Sequence, residues 1–228
     1  MPETQEYIKE YQKRGALWIH DNNPKRPHAL LTSGKHSNGF FNSTPIIQEP
    51  ALLHIACYDL LWDLPTRLIE IGYKPTSSKV SLRLCDLGIH WVFGSAMGAV
   101  NIAYEIAGQH GCKAGYTEPV IESGEKKMII KRFNVQEGER VLVVEDVMTT
   151  GGTTKKTIKA LEERGARILP VIPLLVNRSG KKRLMKKTIK ALIDHPMPMW
   201  KPEECPLCRQ GSEAIRPKGN WDKLTADY

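Results

Sequence analysis

The chain has 228 residues, of which 41% are hydrophobic and 25% are charged, and its formal net charge is +8. This length and composition are typical of a soluble globular protein with one α/β domain and a small appendage. No run of 18 apolar residues occurs and the amino terminus is polar and acidic, so we expect neither a membrane span nor a signal peptide. The five cysteines lack the spacing of a disulfide framework, which predicts free thiols in a reducing cytoplasm.

The first quarter of the chain predicts a helix, several short strands and a second helix. Apolar side chains recur at helical spacing over residues 3–20 and again over residues 51–63. Residues 28–47 are interpreted as short strands, with a turn at Asn38 and Gly39, a pair that is typical of hairpins.

Beyond this region, short apolar runs alternate with amphipathic segments. Strands are expected at 89–93, 114–117, 128–130, 141–144 and 168–176, with a further period-2 pattern over 80–85. Helices are expected at 99–107 and 153–164, and a polar loop at 119–127. This alternation predicts an α/β fold with a mostly parallel sheet flanked by helices, in which ligands lie at the carboxyl ends of strands.

The most informative segment is 141–153, VLVVEDVMTTGGT, in which an apolar run ends in two acids and a Thr/Gly loop leads into a helix. Glu145 and Asp146 are acceptors that suit the vicinal hydroxyls of a ribose. Backbone N–H groups at a helix N-terminus suit a phosphate monoester, and Gly151 and Gly152 are expected to adopt positive φ and let the backbone wrap closely. The spacing fits neither the P-loop nor the dinucleotide-binding fingerprint.

This segment resembles the phosphoribosyl-pyrophosphate (PRPP) motif of type I phosphoribosyltransferases. The resemblance implies the fold of that family as a single domain over residues 1–228, with a small N-terminal hood at about 1–47 and a Pro- and Cys-containing tail at about 195–228. It also implies a set of PRPP-binding residues in the motif and in the loop 94–98. These are Glu145, Asp146, Val147, Met148, Thr149, Thr150, Gly151, Gly152, Thr153, Ser95 and Ala96.

Three other segments are similar to orotate phosphoribosyltransferases, in particular to a shorter prokaryotic branch. They are LTSGKHSNGFFNS at 31–43, LLVNRSG at 174–180 and EECPLCRQG at 203–211. The likeness implies that orotate contacts Thr149, Arg178, Phe40 and Phe41. Orotate is a flat anion, so an arginine fork suits its carboxylate and an aromatic ring suits its face. Core packing is the alternative interpretation of the two phenylalanines, and a surface cation that of Arg178.

The resemblance implies transfer of the phosphoribosyl group of PRPP to orotate, giving orotidine 5′-monophosphate and pyrophosphate for pyrimidine synthesis. Glu145 and Asp146 are then catalytic, and Lys126 and Lys127 neutralise the leaving pyrophosphate. Mg²⁺ is expected to arrive with PRPP, with Asp146 as the one candidate protein ligand. A cytoplasmic homodimer is also implied. The alternatives are a phosphoribosyltransferase for a purine base and a non-catalytic regulator that senses PRPP or nucleotides.

Two further features are interpreted as having no binding function. Structural zinc needs four ligands, and only His195 lies near Cys205 and Cys208 in the sequence, so we expect free thiols there. The basic run at 178–190 is interpreted as a solvated face. It has no interleaved aromatic residues, which argues against nucleic acid as a partner.

Overall fold

In the computed structural model of the protein, residues 4–76 and 82–227 are described. The α-helices are α1 (Thr4–Lys13), α2 (Thr44–Ile47), α3 (Pro50–Leu61), α4 (Leu64–Glu70), α5 (Val100–His110), α6 (Gly152–Glu162), α7 (Pro206–Arg209) and α8 (Trp221–Thr225). The first seven strands are β1 (Leu17–Ile19), β2 (His28–Leu30), β3 (His36–Ser37), β4 (Gly39–Phe41), β5 (Trp91–Ser95), β6 (Lys113–Glu122) and β7 (Glu125–Ile129). The others are β8 (Arg140–Met148), β9 (Arg167–Ile168), β10 (Val171–Asn177), β11 (Arg183–Leu184), β12 (Lys187–Asp194), β13 (Met199–Trp200) and β14 (Ala214–Ile215).

The main sheet has eight strands and is mostly parallel, as the sequence predicts. Its order is β11-β12-β10-β8-β5-β6-β7, and β9 pairs with β8 off this path. The neighbours from β12 to β6 are parallel, while β11 and β7 add antiparallel edges. The parallel strands therefore bring their carboxyl ends to one edge, where ligands of such sheets bind.

The central strand β8 shows how both faces of this sheet are covered. Val141 and Val143 pack into one buried cluster, and Leu142 and Val144 pack into another. Alternate side chains of a strand point to opposite faces, so helices must cover both. Helices α3 and α5 contribute to the cluster around Leu142, and α6 to the cluster around Val143.

A smaller sheet joins the two ends of the chain. Its order is β13-β3-β2-β14, so strands from residues 28–37 pair with strands from residues 199–215. Strand β1 pairs with β4 in a separate antiparallel pair. The Pro- and Cys-containing tail contains β13 and a 3₁₀ turn at Pro202–Glu204, followed by α7 and β14.

The first helix is shorter than the sequence predicts. Helix α1 ends at Lys13, and residues 17–19 form β1 instead of a further helical turn. Gly15 has a φ of +59°, and the Ala16 N–H donates to the Tyr11 carbonyl at 2.7 Å. A left-handed glycine with this bonding is a common helix terminus, and it directs the chain toward β4.

The turn expected at Asn38 and Gly39 is not a hairpin turn. The hairpin joins β2 to β3 through residues 31–35, and Asn38 only separates two strands of different sheets. Gly39 is needed for space, because a Cβ there would lie 2.9 Å from the Met197 sulfur and 3.2 Å from the Trp18 carbonyl oxygen. The last part of the region predicted as strand, 44–47, is the helix α2.

The polar loop expected at 119–127 is a β-hairpin. Strand β6 continues to Glu122, β7 begins at Glu125, and Ser123 and Gly124 turn the chain with φ of +51° and +77°. Lys127 pairs with Glu122 at 2.5 Å across the two strands. Opposite charges on facing strands stabilise such pairs, which explains how a polar sequence forms an exposed edge.

Three other boundaries differ from expectation. Helix α5 passes through Gly108 and ends at His110, where Gly111 adopts a φ of +67°. The strand expected at 168–176 is divided into β9 and β10. The period-2 pattern at 80–85 falls partly on 77–81, outside the described residues, and its end begins a 3₁₀ turn, Cys85–Leu87. Within 4–76 and 82–227, no helix is both long and apolar enough to cross a membrane.

Candidate active site

Three neighbouring strands end side by side at the carboxyl edge of the main sheet. Strand β5 ends at Ser95, β8 at Met148 and β10 at Asn177. The residues predicted to form a site follow these ends, so the fold brings the loop 94–98, the loop 149–151 and Arg178 to one edge. One detail differs from the sequence interpretation, since Glu145 and Asp146 lie within β8 and not after its end.

Glu145 is a buried carboxylate held by two hydroxyl groups. It is 6% exposed, and its Oε2 accepts hydrogen bonds from Thr154 Oγ1 at 2.9 Å and from Ser95 Oγ at 3.1 Å. Burial, followed by the charge of the adjacent Asp146, raises the pKa of Glu145 well above the usual range of a carboxyl group. The side chain therefore holds its proton to a higher pH than an exposed glutamate does.

A chain of buried hydroxyl groups continues from this carboxylate. Ser95 Oγ lies 3.0 Å from Thr157 Oγ1, which lies 2.7 Å from Thr117 Oγ1. Sequence reasoning missed Thr117, Thr154 and Thr157. The signal for the last two was present, because a spacing of three residues places both on one face of α6. The network joins α6 to β5 and β6 directly beneath the acidic pair.

Asp146 lies against the loop that follows β5. A Cβ on Gly98 would overlap the Asp146 carboxylate, and a Cβ on Gly94 would overlap the carbonyl of Ala99. The peptide bond between Ala96 and Met97 is cis. The structure thus places the predicted loop residues Ser95 and Ala96 next to the acidic pair, and both loop glycines are required for that close approach.

The loop after β8 begins the helix α6. Gly151 has a φ of +78° and caps the helix, and a Cβ there would lie 2.7 Å from Leu184 Cδ1. The expectation of positive φ is therefore correct for Gly151 and wrong for Gly152. Gly152 is the first helical residue, and an added Cβ would make only ordinary contact with Thr150 Oγ1 at 3.5 Å.

The other motif residues divide between the loop and the core. Thr149, Thr150 and Thr153 are half-buried around the start of α6. Val147 packs against the core, and Met148 is 1% exposed. Because the Met148 side chain is enclosed, the predicted contact of this residue with PRPP would have to come from its backbone, and its carbonyl already accepts the Arg178 N–H at 3.0 Å.

Arg178 is a buried cation with unused hydrogen-bond donors. Its side chain is 1% exposed, and its Nη2 donates to Ser37 Oγ at 2.7 Å and to the Gly39 carbonyl at 2.9 Å. Its Nε and Nη1 are buried and have no partner among the described residues. Burial lowers the pKa of Arg178 to about 10, so it remains charged at neutral pH. The interpretation as an ordinary surface cation is therefore wrong.

The two phenylalanines occupy different surroundings. Phe41 is 1% exposed, with its ring centroid 5.3 Å from that of Tyr11 and 5.8 Å from that of His195. The expected stacking of orotate on Phe41 is not supported, because this packing leaves the ring no open face. Phe40 is half-buried and packs against Trp221 at 5.9 Å, at the edge of a surface depression.

Lys126 and Lys127 lie on β7 rather than in a loop. Both are exposed, the Lys127 ammonium pairs with Glu122, and the Lys126 carbonyl accepts a hydrogen bond from Lys156 Nζ on α6. The hairpin is therefore attached to the helix that starts at the Gly151 loop. Contact of either lysine with pyrophosphate stays a prediction.

Comparisons with known proteins agree with this geometry. The phosphoribosyl transferase domain family matches residues 75–201. An orotate phosphoribosyltransferase of Caldicellulosiruptor bescii is 34% identical over 83% of this chain and 87% of the relative. Another, from Desulforamulus reducens, is 35% identical over the same shares, and one from Pelotomaculum thermopropionicum is 32% identical over 93% of this chain and 95% of the relative.

Solved structures show the same fold. Orotate phosphoribosyltransferase from Aeropyrum pernix matches with a TM-score of 0.57 and 22% identity, covering 81% of this chain and 91% of that one. Adenine phosphoribosyltransferase from Saccharomyces cerevisiae matches with a TM-score of 0.53 and 16% identity, covering 83% and 99%. The fold is therefore shared by enzymes for different bases.

The chain belongs to the phosphoribosyltransferase family. Within that family, the curated relatives described above, at 32–35% identity, are all orotate phosphoribosyltransferases.

The burial of Glu145 leads to a prediction about the free energy of unfolding. Glu145→Gln should keep the fold and raise the free energy of unfolding at neutral pH. The amide oxygen still accepts from Thr154 and Ser95, and the variant needs neither to bury a charge nor to take up a proton on folding. Since the folded-state pKa of Glu145 lies above its unfolded value, the wild type loses stability relative to the variant as pH rises from about 4.3 toward the raised pKa.

Urea unfolding at pH 5 and pH 8 measures this effect. The advantage of Glu145→Gln should increase with pH and reach on the order of 1–3 kcal/mol. The matched control is Glu125→Gln, at an exposed position of the hairpin turn, which should show no such increase. An advantage that is equal at the two pH values would contradict a raised pKa at Glu145.

The conformations of Gly151 and Gly152 lead to a second prediction, which concerns phosphate binding. Gly151→Val should disrupt the loop, because a β-branched residue resists a φ of +78° and its Cβ would press on Leu184. Isothermal titration with a nucleoside 5′-monophosphate should show at least about tenfold weaker binding, or about 1.4 kcal/mol. Gly152→Ala is the control and should bind nearly as the wild type does, since its Cβ meets no close contact. Undiminished affinity of Gly151→Val would place the phosphate elsewhere.

Proposed function

We propose that this chain transfers the phosphoribosyl group of PRPP to orotate, giving orotidine 5′-monophosphate and pyrophosphate. The observation that carries the proposal is the buried Arg178, whose Nε and Nη1 have no partner among the described residues and whose backbone N–H bonds to Met148, at the end of β8. A buried charge with unsatisfied donors is costly unless an anion completes it, and orotate brings a carboxylate. The curated relatives named orotate phosphoribosyltransferase support the same base.

The ribose and its 5-phosphate are proposed to bind along the motif. Asp146 is the more exposed of the two acids and accepts from a ribose hydroxyl, while Glu145, fixed by Thr154 and Ser95, holds the strand end in place. The first N–H groups of α6 lack intrahelical partners, so they suit the 5-phosphate. Lys181 adds a nearby cation, since its Nζ donates to the Thr150 carbonyl at 3.2 Å.

The base is proposed to lie between the end of β10 and the strand β4. Arg178 is anchored there through Ser37 Oγ and the Gly39 carbonyl, so its free donors have a fixed direction. Phe40 is half-buried and lines a surface depression, so its ring is more accessible than the buried ring of Phe41. Thr149 follows β8 and is proposed to contact the base from the other side.

The chemistry is proposed to be displacement of pyrophosphate from C1 of the ribose by a ring nitrogen of orotate. The transition state resembles an oxocarbenium ion, so catalysis is mainly positioning and charge stabilisation. Mg²⁺ suits this site because Asp146 and the phosphates of PRPP offer oxygen ligands, and it would neutralise the pyrophosphate when bound. Lys126, Lys127, the cytoplasmic location and the homodimer stay predictions of the family resemblance.

An assay of PRPP consumption with orotate and with a panel of purines tests the proposal. We expect turnover with orotate and Mg²⁺, at least about 100-fold lower kcat/KM with adenine, guanine or hypoxanthine, and little activity without Mg²⁺. Turnover with a purine instead would replace the proposal with the second candidate, which shares the fold. Tight PRPP or nucleotide binding without turnover on any base would favour a regulator.

The proposed role of Arg178 leads to a prediction about the binding of orotate, separate from the binding of PRPP. Arg178→Ala should raise the KM for orotate about 10- to 150-fold and change the KM for PRPP little, since a lost charge-assisted pair is worth about 1.5–3 kcal/mol. Arg178→Lys should recover only part, because one ammonium cannot bind Ser37, Gly39 and a ligand in the directions of a planar guanidinium. Arg183→Ala removes an exposed cation of the same basic run and is the matched control. A higher KM for PRPP with an unchanged KM for orotate would assign Arg178 to the pyrophosphate.

A further inference from the structure

Four metal-ligating side chains from opposite ends of the chain meet beside the small sheet. His28 lies on β2, His36 on β3, Cys205 directly before α7 and Cys208 within it. Their ligand atoms all lie within 4.8 Å of one another. We propose that these four residues bind a structural zinc ion, a site that is separate from the transferase chemistry.

The distances within this cluster fit a tetrahedral ion. His28 Nε2 lies 3.0 Å from His36 Nδ1, 3.6 Å from Cys205 Sγ and 3.5 Å from Cys208 Sγ. Cys208 Sγ lies 3.2 Å from His36 Nδ1. Tetrahedral zinc, with bonds of about 2.0–2.1 Å to nitrogen and about 2.3 Å to sulfur, separates its ligands by roughly 3.3 Å (N to N) and roughly 3.5 Å (N to S). These four separations therefore differ from the tetrahedral values by a few tenths of an ångström at most.

Ser212 fixes the histidine in the form that a metal requires. Its hydroxyl has one proton, which is donated to the Arg26 carbonyl at 2.6 Å. The hydroxyl therefore accepts from His28 Nδ1, which lies 2.8 Å away. Nδ1 then carries the ring proton, and the lone pair of Nε2 faces the other three ligands. A ligand histidine that donates its second N–H to a fixed acceptor is the usual arrangement around zinc.

The ligand types and their burial select both the metal and its role. Imidazole and thiolate ligands suit zinc, whereas Mg²⁺ requires oxygen. His28 and Cys205 are 0% exposed and His36 is 6% exposed, so water has little access. Two thiolates balance the charge of Zn²⁺, and a neutral site suits such burial. Four protein ligands leave no open position, which indicates a structural and not a catalytic ion.

The position of the ion gives it a clear structural consequence. It joins the hairpin of β2 and β3 to the segment 205–212, which precedes β14. His36 is adjacent to Ser37, whose hydroxyl accepts from Arg178 and donates to the Pro198 carbonyl at 2.7 Å. Zinc would therefore fix the strand that orients the buried arginine.

Metal analysis of the full chain tests this proposal directly. Protein purified without chelator and dialysed against metal-free buffer should contain about one equivalent of zinc per chain. Cys208→Ser should lose most of it. Cys85→Ser, which replaces a half-buried cysteine outside the cluster, should keep the wild-type content.

Cobalt titration of the metal-depleted wild type gives an independent readout. Co²⁺ should produce the strong visible bands of a tetrahedral site and a near-ultraviolet thiolate-to-cobalt band, and Cys208→Ser should lose most of both. Chelation should lower the melting temperature by about 5–10 °C, and Zn²⁺ but not Mg²⁺ should restore it. Less than about 0.1 equivalent of zinc together with no tetrahedral cobalt bands in the wild type would overturn the proposal. A Cys205–Cys208 disulfide in freshly purified protein would do the same, and if Cys208→Ser fails to fold the wild-type measurements decide.

Discussion

The parallel pairing of β8 with β5 on one side and with β10 on the other is the constraint on which the rest of the structure depends. It brings three chain segments, separated by dozens of residues, to one edge at a spacing of about 4.8 Å per strand. The alternating burial of residues 141–144 in two cores fixes the register of β8. A shift by one residue would turn Glu145 to the opposite face, away from Thr154 and Ser95.

Two buried ionisable side chains distinguish this edge from the rest of the surface. Glu145 accepts hydrogen bonds from two hydroxyl groups, whereas Nε and Nη1 of Arg178 have no partner among the residues that the structure describes. The first arrangement is stable in the protein alone. Under the proposed function, the second is costly until the orotate carboxylate binds, so part of the binding energy of orotate would offset a penalty already present in the folded chain. Such a site discriminates strongly against neutral molecules of the same shape.

Much of the fold could be predicted from local patterns, but several boundaries depended on distant contacts. The parallel sheet, helix α3 and the Thr/Gly loop follow from short-range signals in the sequence. The sequence of the hairpin of β6 and β7 predicts a loop because its strands are polar, and it does not show the diagonal ion pair between Glu122 and Lys127 that joins them. The cluster of His28 and Cys205 could not be found by spacing, because 177 positions separate the two residues. The pairings of β3 with β13 and of β2 with β14 bring them together.

The small sheet, in which the late strands β13 and β14 flank the early pair β3 and β2, also has a consequence for the order of folding during synthesis. Strands β2 and β3 leave the ribosome early, yet their partners β13 and β14 follow about 160–190 residues later, roughly ten to forty seconds at ordinary translation rates. An isolated two-stranded hairpin is marginally stable, and both of its edges stay open for pairing. The main sheet can therefore form before the small sheet is complete, and the nascent chain exposes the edges of β2 and β3 until residues 199–215 have been synthesised.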